Sequence, residues 1–432
     1  MLKFILGFNL LLFILLTLCY SYQIFYTILA VFKKPKRYQA ETKHCYAVLI
    51  AARNEENVVA NLIDSIRRQN YDRELVDIYV VADNCTDGTA AAARAAGAEV
   101  LERFNTRHVG KGYALDFGLK HIFASDAGEK YEGAFVLDAD NLLDANFIDE
   151  MNNMFDNGHR VITSYRNSKN YGTNWITAGH SLWFLRECKY LSSARMMLGT
   201  SCAISGTGFL VHRDILEQNN GWKHHLLTED LEFSVDSVMQ GETIAYCQDA
   251  ILYDEQPETM NQSWNQRLRW VKGGYQIMKK YTGKLFQVEG VRRKLSCCDL
   301  ILSIAPGMFF SIVSLLVNLL GFGYGLSELS GTLGVMGRAA NTLLLHDTSW
   351  SIIFTLVGYY MTFFLYGMLT ISSEWKRIQA PAWRKLLSVV TYPIFVLTYI
   401  PIAVSAIGRE IEWKPIRHNV SKTIEELSGE TA

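Results

Sequence analysis

The 432-residue chain carries 42 basic against 43 acidic residues, so no charge excess marks it as a binder of nucleic acid or another polyanion. Its length leaves room for two or three units of ordinary domain size. Hydrophobic residues make up 49% of the chain, and they are gathered into blocks that exclude a uniformly soluble protein.

The first block runs from about Phe4 to Val31 and exceeds the roughly 20 residues that cross a bilayer. It is too long for the apolar core of a signal peptide, and no small-residue cleavage site comes after it. Directly behind the block stands Lys33-Lys34-Pro35-Lys36-Arg37. That basic cluster is the flank of a retained helix whose N-terminus lies outside and whose downstream domain lies in the cytoplasm. Three more uncharged stretches come late, near Leu300–Gly325, Ser349–Ser373 and Leu386–Ile407. Arg292, Arg293 and Lys294 before them agree with the same orientation, as do Lys376, Arg377, Arg384 and Lys385. The expected organisation is a membrane helix at 1–32, a cytosolic domain at 40–285, a membrane region of about three segments at 286–410, and a tail at 411–432. This predicts a multi-pass protein of the cell membrane. Pro393 and Pro401 mark the last segment as the one to be re-entrant or interfacial. The eight cysteines show no metal-ligand spacing and read as reduced thiols.

Within the soluble part, Tyr46–Ala52 is a short apolar run that stops at Arg53-Asn54-Glu55-Glu56. Val59, Leu62, Ile63 and Ile66 then recur at helical spacing. A second run, Val76–Ala82, stops at Asp83-Asn84-Cys85-Thr86-Asp87-Gly88. A helix from Thr89 to Ala96 ends at Gly97, Glu99–Glu102 makes a short strand, and Gly110–Phe123 makes a helix. The next run, Ala134–Asn141, ends in Asp138 and Asp140. Strands alternating with helices predict a Rossmann-like α/β domain with a mostly parallel sheet. Ligands of such sheets bind at the carboxyl ends of the strands, where these three polar clusters gather. Residues two apart in an extended strand project to the same side, so Asp138 and Asp140 can aim both carboxylates at one point. Two adjacent carboxylates repel unless a cation or proton lies between them. A hard divalent ion, Mg²⁺ or Mn²⁺, takes such oxygen ligands and leaves places for substrate phosphates.

The motifs AARNEE (51–56), VADNCTDGT (81–89), GKGYALDFG (110–118), DAD (138–140), SGTGFLVHRD (205–214), TED (228–230) and QRLRW (266–270) stand in one order. In that order the chain resembles the family 2 glycosyltransferases, inverting GT-A enzymes that include cellulose, hyaluronan and poly-N-acetylglucosamine synthases and ceramide glucosyltransferase. The resemblance covers about residues 46–280. It implies a GT-A fold, a UDP-sugar donor and a divalent cation. It also implies that Ala51, Arg53 and Glu55 line the uridine and that Asp83 binds the uracil or ribose. Lys111 would approach the pyrophosphate from the start of its helix. Asp138 and Asp140 would hold nucleotide and metal, Asp140 the more directly.

Asp230 takes the general-base role by the same match, with Glu229 beside it. Gly206 and Thr207 would lie beside the acceptor. On a helix Gln266, Arg269 and Trp270 share one face, offering donors to the diphosphate and a ring on which a sugar stacks. Trp264, Trp270, Tyr275 and Lys279 suit a helix lying at a membrane surface. Thr228 or Asp230 would also suit a helix cap. The resemblance leaves two acceptors open, the end of a growing β-linked polysaccharide exported through the membrane helices, or a membrane lipid. Gly321-Phe322-Gly323-Tyr324-Gly325 favours a saccharide path. Four spans are few to enclose a channel, which would call for a partner subunit or oligomer. The tail Glu412-Trp413-Lys414-Pro415-Ile416-Arg417-His418 resembles the W-x-x-T-R/H endings of some synthases, with Ile416 in place of threonine. Four full spans would put it outside, whereas its basic character points to the cytoplasm.

Overall fold

The structure, a computed structural model, describes residues 1–304, 306–330, 334–411, 418 and 420–428. Eight strands form one sheet: β1 (Tyr46–Ala52), β2 (Val76–Asp83), β3 (Glu99–Arg103), β4 (Gly133–Asp138), β5 (Leu142–Leu143), β6 (Val161–Ser168), β7 (Phe209–His212) and β8 (Ile244–Asp254). Their order is β3-β2-β1-β4-β7-β6-β8-β5. The first four strands are parallel, as the alternating pattern requires. β6 and β8 are parallel as well, but β7 runs antiparallel between β4 and β6, and β5 runs antiparallel to β8.

The unbroken apolar run of β1 reflects burial on both faces. Ala47 and Leu49 belong to one core, while Tyr46, Val48, Ile50 and Ala52 belong to the other. The sheet is thus a middle layer, and its polar strand ends open at one edge.

Among the described residues, four helices are long and apolar enough to cross a membrane by length and composition: Leu2–Phe32, Phe309–Ser327, Val335–Glu374 and Ala382–Ala406. The third is 40 residues long and starts earlier than its apolar stretch. The first three are tied by a polar cluster, in which Asn9 donates to Asn318 and to Ser351, each at 3.0 Å. The N-terminal helix is held to the domain at Asp299, which accepts from Tyr22 at 2.8 Å, Tyr26 at 3.2 Å and Arg195 at 2.8 Å. The fourth stretch breaks into Ala382–Leu397 and Tyr399–Ala406, with Pro393 inside the first piece. Half of its apolar window is buried within the protein.

Trp264 and Tyr275 of the helix Met260–Tyr281 are half-buried and pack on Ile402 and Ala406 of the broken fourth stretch. Arg267 of QRLRW, fully buried, donates to the Phe395 carbonyl at 3.2 Å and to Thr398 at 2.6 Å, across the break in the fourth stretch. Gly321 and Gly325 lie where the membrane helices pack together. A Cβ on Gly321 would meet Ile5 and Thr348 at 3.1 Å, and one on Gly325 would meet Leu345 at 2.7 Å. These glycines let helices touch.

Candidate functional site

Three strand ends build one side of the candidate site. After β1, Asn54 turns the chain with φ 60°, and after β2, Asn84 does so with φ 53°. Asparagine tolerates this left-handed conformation better than most residues. Asn54 accepts from the Thr86 N–H and Asn84 from the Asn105 N–H, each at 2.8 Å, so each loop braces the next. Ala51, Arg53 and Glu55 lie on the first of these loops or the strand before it. Asp83, buried at the end of β2, is ion-paired with Arg103 at the end of β3. Arg103 also donates to the His108 carbonyl at 2.7 Å. Nothing in the motif order singled out Arg103; the strand-end rule extended to β3 would have found it.

β4 stops at Asp138, and Asp140 lies in the turn beyond it. Asp140 therefore does not follow the strand alternation on which the expectation for the pair was built. Asp138 pairs with Lys111, whose ammonium also donates to the Gly206 carbonyl at 2.7 Å. Lys111 opens its helix directly after Gly110, whose φ of 140° favours glycine. Burial opposes the charge on Lys111, but Asp138 and Glu229 outweigh it and hold its pKa above the ordinary value. Asp140 is buried and accepts from the Glu255 N–H at 3.0 Å. Burial opposes its charge as well, yet His418, Lys169 and Arg166 hold its carboxyl below the usual range.

Glu55 receives a partner that its motif does not contain. The Nδ1 of His418 stands 2.9 and 3.0 Å from the Glu55 carboxylate oxygens, and its Nε2 is 4.0 Å from Asp140 Oδ2. Burial pushes Glu55 up to about 7, against the pull of His418. Burial likewise opposes the His418 charge, but Asp140 and Glu55 hold it up at about 10. The tail thus reaches the strand-end edge of the sheet. Residues 412–417 lie outside the described residues.

The other side is built from β7, its preceding loop and two helices. Thr207 accepts from the Asp138 N–H at 2.8 Å, which fastens the 205–208 loop to β4. Gly206 takes a φ of 85°, which favours glycine, and a Cβ there would stand in ordinary contact with Asp230 Oδ2 at 3.7 Å. Glu229 and Asp230 form the first turn of the helix Glu229–Gln240. Thr228 stands at the N-cap without making a side-chain cap bond, which corrects the capping expectation. Glu232 takes up the nearby N–H groups instead, accepting from His225 and Leu226 at 3.0 Å. Burial and the neighbouring Asp230 push Glu229 up to about 7, and burial raises Asp230 above the carboxylate range.

Arg269 lies deep beside these acids; burial lowers its pKa, while Glu229, Asp230 and Asp138 favour its charge. Trp270 meets His180 and Phe184 edge-on, with ring centres 5.7 and 5.8 Å away. Three oxygens, Ser164 Oγ, Thr228 Oγ1 and Gln266 Oε1, are buried without a hydrogen-bond partner among the described residues. Buried acceptors of this kind are rare and call for a ligand or water.

Arg166 joins the two sides and was not foreseen. Its guanidinium pairs with Asp254, donates to the Ser205 carbonyl at 2.5 Å, and lies 3.8 Å over the Phe184 ring that edges Trp270. No motif marks it, because its partners are distant in sequence.

Known proteins bear on this arrangement in three ways. The sequence profile described as "Glycosyltransferase like family 2" matches residues 43–273, just over half of the chain. A probable glycosyltransferase, YdaM of Bacillus subtilis, is 26% identical over 57% of this chain and 59% of its own length. A beta-monoglucosyldiacylglycerol synthase of Nostoc is 27% identical over 58% of this chain and 54% of its own. A poly-beta-1,6-N-acetyl-D-glucosamine synthase of Staphylococcus epidermidis is 24% identical over 53% and 54%. The chain therefore spans little more than half the length of these curated relatives. Among solved structures, the mannosyltransferase PcManGT from Pyrobaculum calidifontis, in complex with GDP-Man and Mn²⁺, aligns with a TM-score of 0.51 and 15% identity, over 91% of this chain and 99% of that one. That likeness shows a shared fold. On the profile match across the sheet domain and both sides of the site, the chain belongs to the family 2 glycosyltransferases.

Proposed function

We propose that this chain is a membrane-embedded inverting transferase that moves glucose or N-acetylglucosamine from a UDP-sugar to an acceptor hydroxyl. The observation that carries the reading is the half-buried pair Glu229–Asp230, set beside the Gly206 loop and close to Lys111. Asp230 accepts the proton of the acceptor hydroxyl as that oxygen bonds to the anomeric carbon. The bond from this carbon to the diphosphate oxygen breaks on the opposite face, and its electron pair leaves with UDP. Lys111 and Arg269 supply positive charge where that leaving group gains negative charge. Gln266 Oε1 accepts from a sugar hydroxyl. Ala51, Arg53, Glu55 and Asp83 hold the nucleoside, and Trp270 packs on the sugar.

Asp140 and Asp138 suit a hard divalent cation, because carboxylate oxygens beside a diphosphate are what Mg²⁺ and Mn²⁺ take. Such a cation supplies charge that holds the diphosphate. The first acceptor is the end of a growing β-linked polysaccharide, made on the cytoplasmic face. A membrane-lipid hydroxyl is the second reading, favoured by the helix-packing use of Gly321 and Gly325 and by the glucolipid synthases among the relatives.

Incubating the full chain in lipid with radiolabelled UDP-glucose and UDP-N-acetylglucosamine, then sizing the product, tests the reading. A long glycosidase-sensitive polymer supports the first acceptor, and a single sugar partitioning with lipid supports the second. No transfer from either donor overturns both.

A further inference from the structure

The side chain of Arg166 on β6 is 14% exposed, and that of its partner Asp254, at the end of β8, only 2%. A buried ion pair adds little net stability, because taking both charges out of water costs about as much as their attraction returns. What this pair does is fix a planar cation that has donors left over. Arg166 Nε donates to Asp254 Oδ2 at 2.5 Å, and Gln256 Nε2 holds the other oxygen of Asp254 at 2.6 Å. The β6–β8 register shifts between Ser164 and Tyr165, just before Arg166, and such irregularities re-aim the side chains beside them. The guanidinium so held reaches two places. Its edge donates to the Ser205 carbonyl at 2.5 Å, and its face lies on Phe184. Phe184 and His180 stand one turn apart on the helix Trp175–Arg186, and both rings meet Trp270 edge to face. His180 is tied back to the Trp270 helix by a 2.8 Å bond to Ser263.

We propose that Arg166 is a positioning residue for the acceptor, one guanidinium setting the 205–208 loop and, through Phe184, the Trp270 ring. The inference rests on the transfer reaction proposed above. Each residue of the loop is fastened by a different group. Thr207 accepts from the Asp138 N–H, and Gly208 donates to the Val136 carbonyl at 3.0 Å and accepts from the Ser164 N–H at 3.1 Å. Gly206 is held by Lys111, but Lys111 also serves Asp138 and, in the proposed reaction, the diphosphate. Ser205 is held by Arg166, whose other partner, Asp254, has no part in that reaction. Arg166 is thus the cationic anchor of the loop that is not shared with the nucleotide. A lysine is no substitute, since a point charge cannot pair with Asp254, reach Ser205 and lie flat on Phe184 at once. A misplacement of about 1 Å in a positioned group can cost on the order of a hundredfold in rate.

The full chain in lipid, given radiolabelled UDP-glucose or UDP-N-acetylglucosamine, divides donor turnover between glycosylated product and free sugar released to water. That division tests the inference, because water needs neither the loop nor Trp270 to place it. Arg166→Met/Asp254→Asn removes both buried charges together and leaves neither unpaired. Its transfer should fall roughly tenfold to a hundredfold, the scale of a lost hydrogen bond to a charged group. Hydrolysis should fall less, and UDP binding by calorimetry should persist. Arg166→Lys should keep the charge and still lose transfer. Phe184→Leu, which cuts only the arm to Trp270, should shift the division in the same direction by less. Arg166 also acts on Asp230 through its charge, but losing that influence would affect transfer and hydrolysis alike. Equal losses of the two reactions, recovery by Arg166→Lys, or loss of UDP binding overturns the positioning role. If the wild type transfers from neither donor, the proposed reaction fails and this inference with it. If the wild type transfers and every variant keeps its division of products, only the role of Arg166 is wrong.

Discussion

Asp140 and Asp230 are the same residue type, both deep in one site, and their surroundings push them in opposite directions. Asp140 is met by His418, Lys169 and Arg166 and by the Glu255 N–H, which together overcome burial and keep it ionised. Asp230 has burial as its largest influence, and it stays above the ordinary carboxylate range although Lys111 and Arg166 pull it down. The first environment suits a group that binds charge. The second suits a group that takes and gives a proton near neutral pH. The difference lies in what the fold brings to each carboxyl.

The largest effect should come from Asp230→Asn, which removes the proposed base and leaves the donor side intact. Loss of a general base costs about 10²–10⁴-fold, so kcat should fall by that much while UDP binding, followed by calorimetry, persists. Loss of UDP binding instead would move Asp230 to the donor side and erase the contrast.

Asp140→Asn should do the reverse. Cation-dependent UDP affinity should drop by roughly tenfold or more, the scale of a lost charge-assisted contact. Chelation by EDTA should abolish transfer in the wild type, with Mn²⁺ or Mg²⁺ restoring it. Full activity in EDTA breaks this half of the comparison.

The pH dependence sharpens it. Asp230 acts ionised and its pKa is raised, so kcat should fall as pH drops through a limb above the usual carboxylate value of about 4. Lys111 lowers that pKa by its charge, so the residual activity of Lys111→Met should show the limb at still higher pH. A limb at the ordinary carboxylate value would mean that Asp230 is well solvated or not the base.

The smallest effect is expected on the helix that carries Gln266, Arg269 and Trp270. A Cβ on Gly273 would stand 2.3 Å from Thr228 Oγ1. Gly273→Ala should therefore shift the TED loop, with a stability loss of about 1–3 kcal/mol by thermal unfolding and a several-fold fall in kcat. Unchanged kcat would show that the loop tolerates the shift.

Much of the donor side was legible because its residues stand at the ends of apolar runs, and a strand's end is visible in sequence. Glu55, Asp83, Lys111 and Asp138 all fall where the runs and the Gly-flanked helix start placed them. For the two acids proposed to hold a cation, the turn that carries Asp140 was not legible, since it leaves no trace in hydropathy. Arg103, Arg166 and Lys169 went unread because each is defined by its partner. A lone basic residue in a strand or loop carries no signal until Asp83, Asp254 or Glu255 stands beside it.

The sequence by itself determined the order of elements, the four apolar segments, and the motif order that marks the family, because these depend on local periodicity and spacing. Only the tertiary structure decided that β7 enters the sheet antiparallel, that Arg267 ties QRLRW to the broken fourth segment, and that His418 reaches Glu55. Each of these depends on burial and charge contributed by chain distant in sequence. The same holds for Asp140 and Asp230, whose identical side chains are shifted in opposite directions by the neighbours that folding supplies.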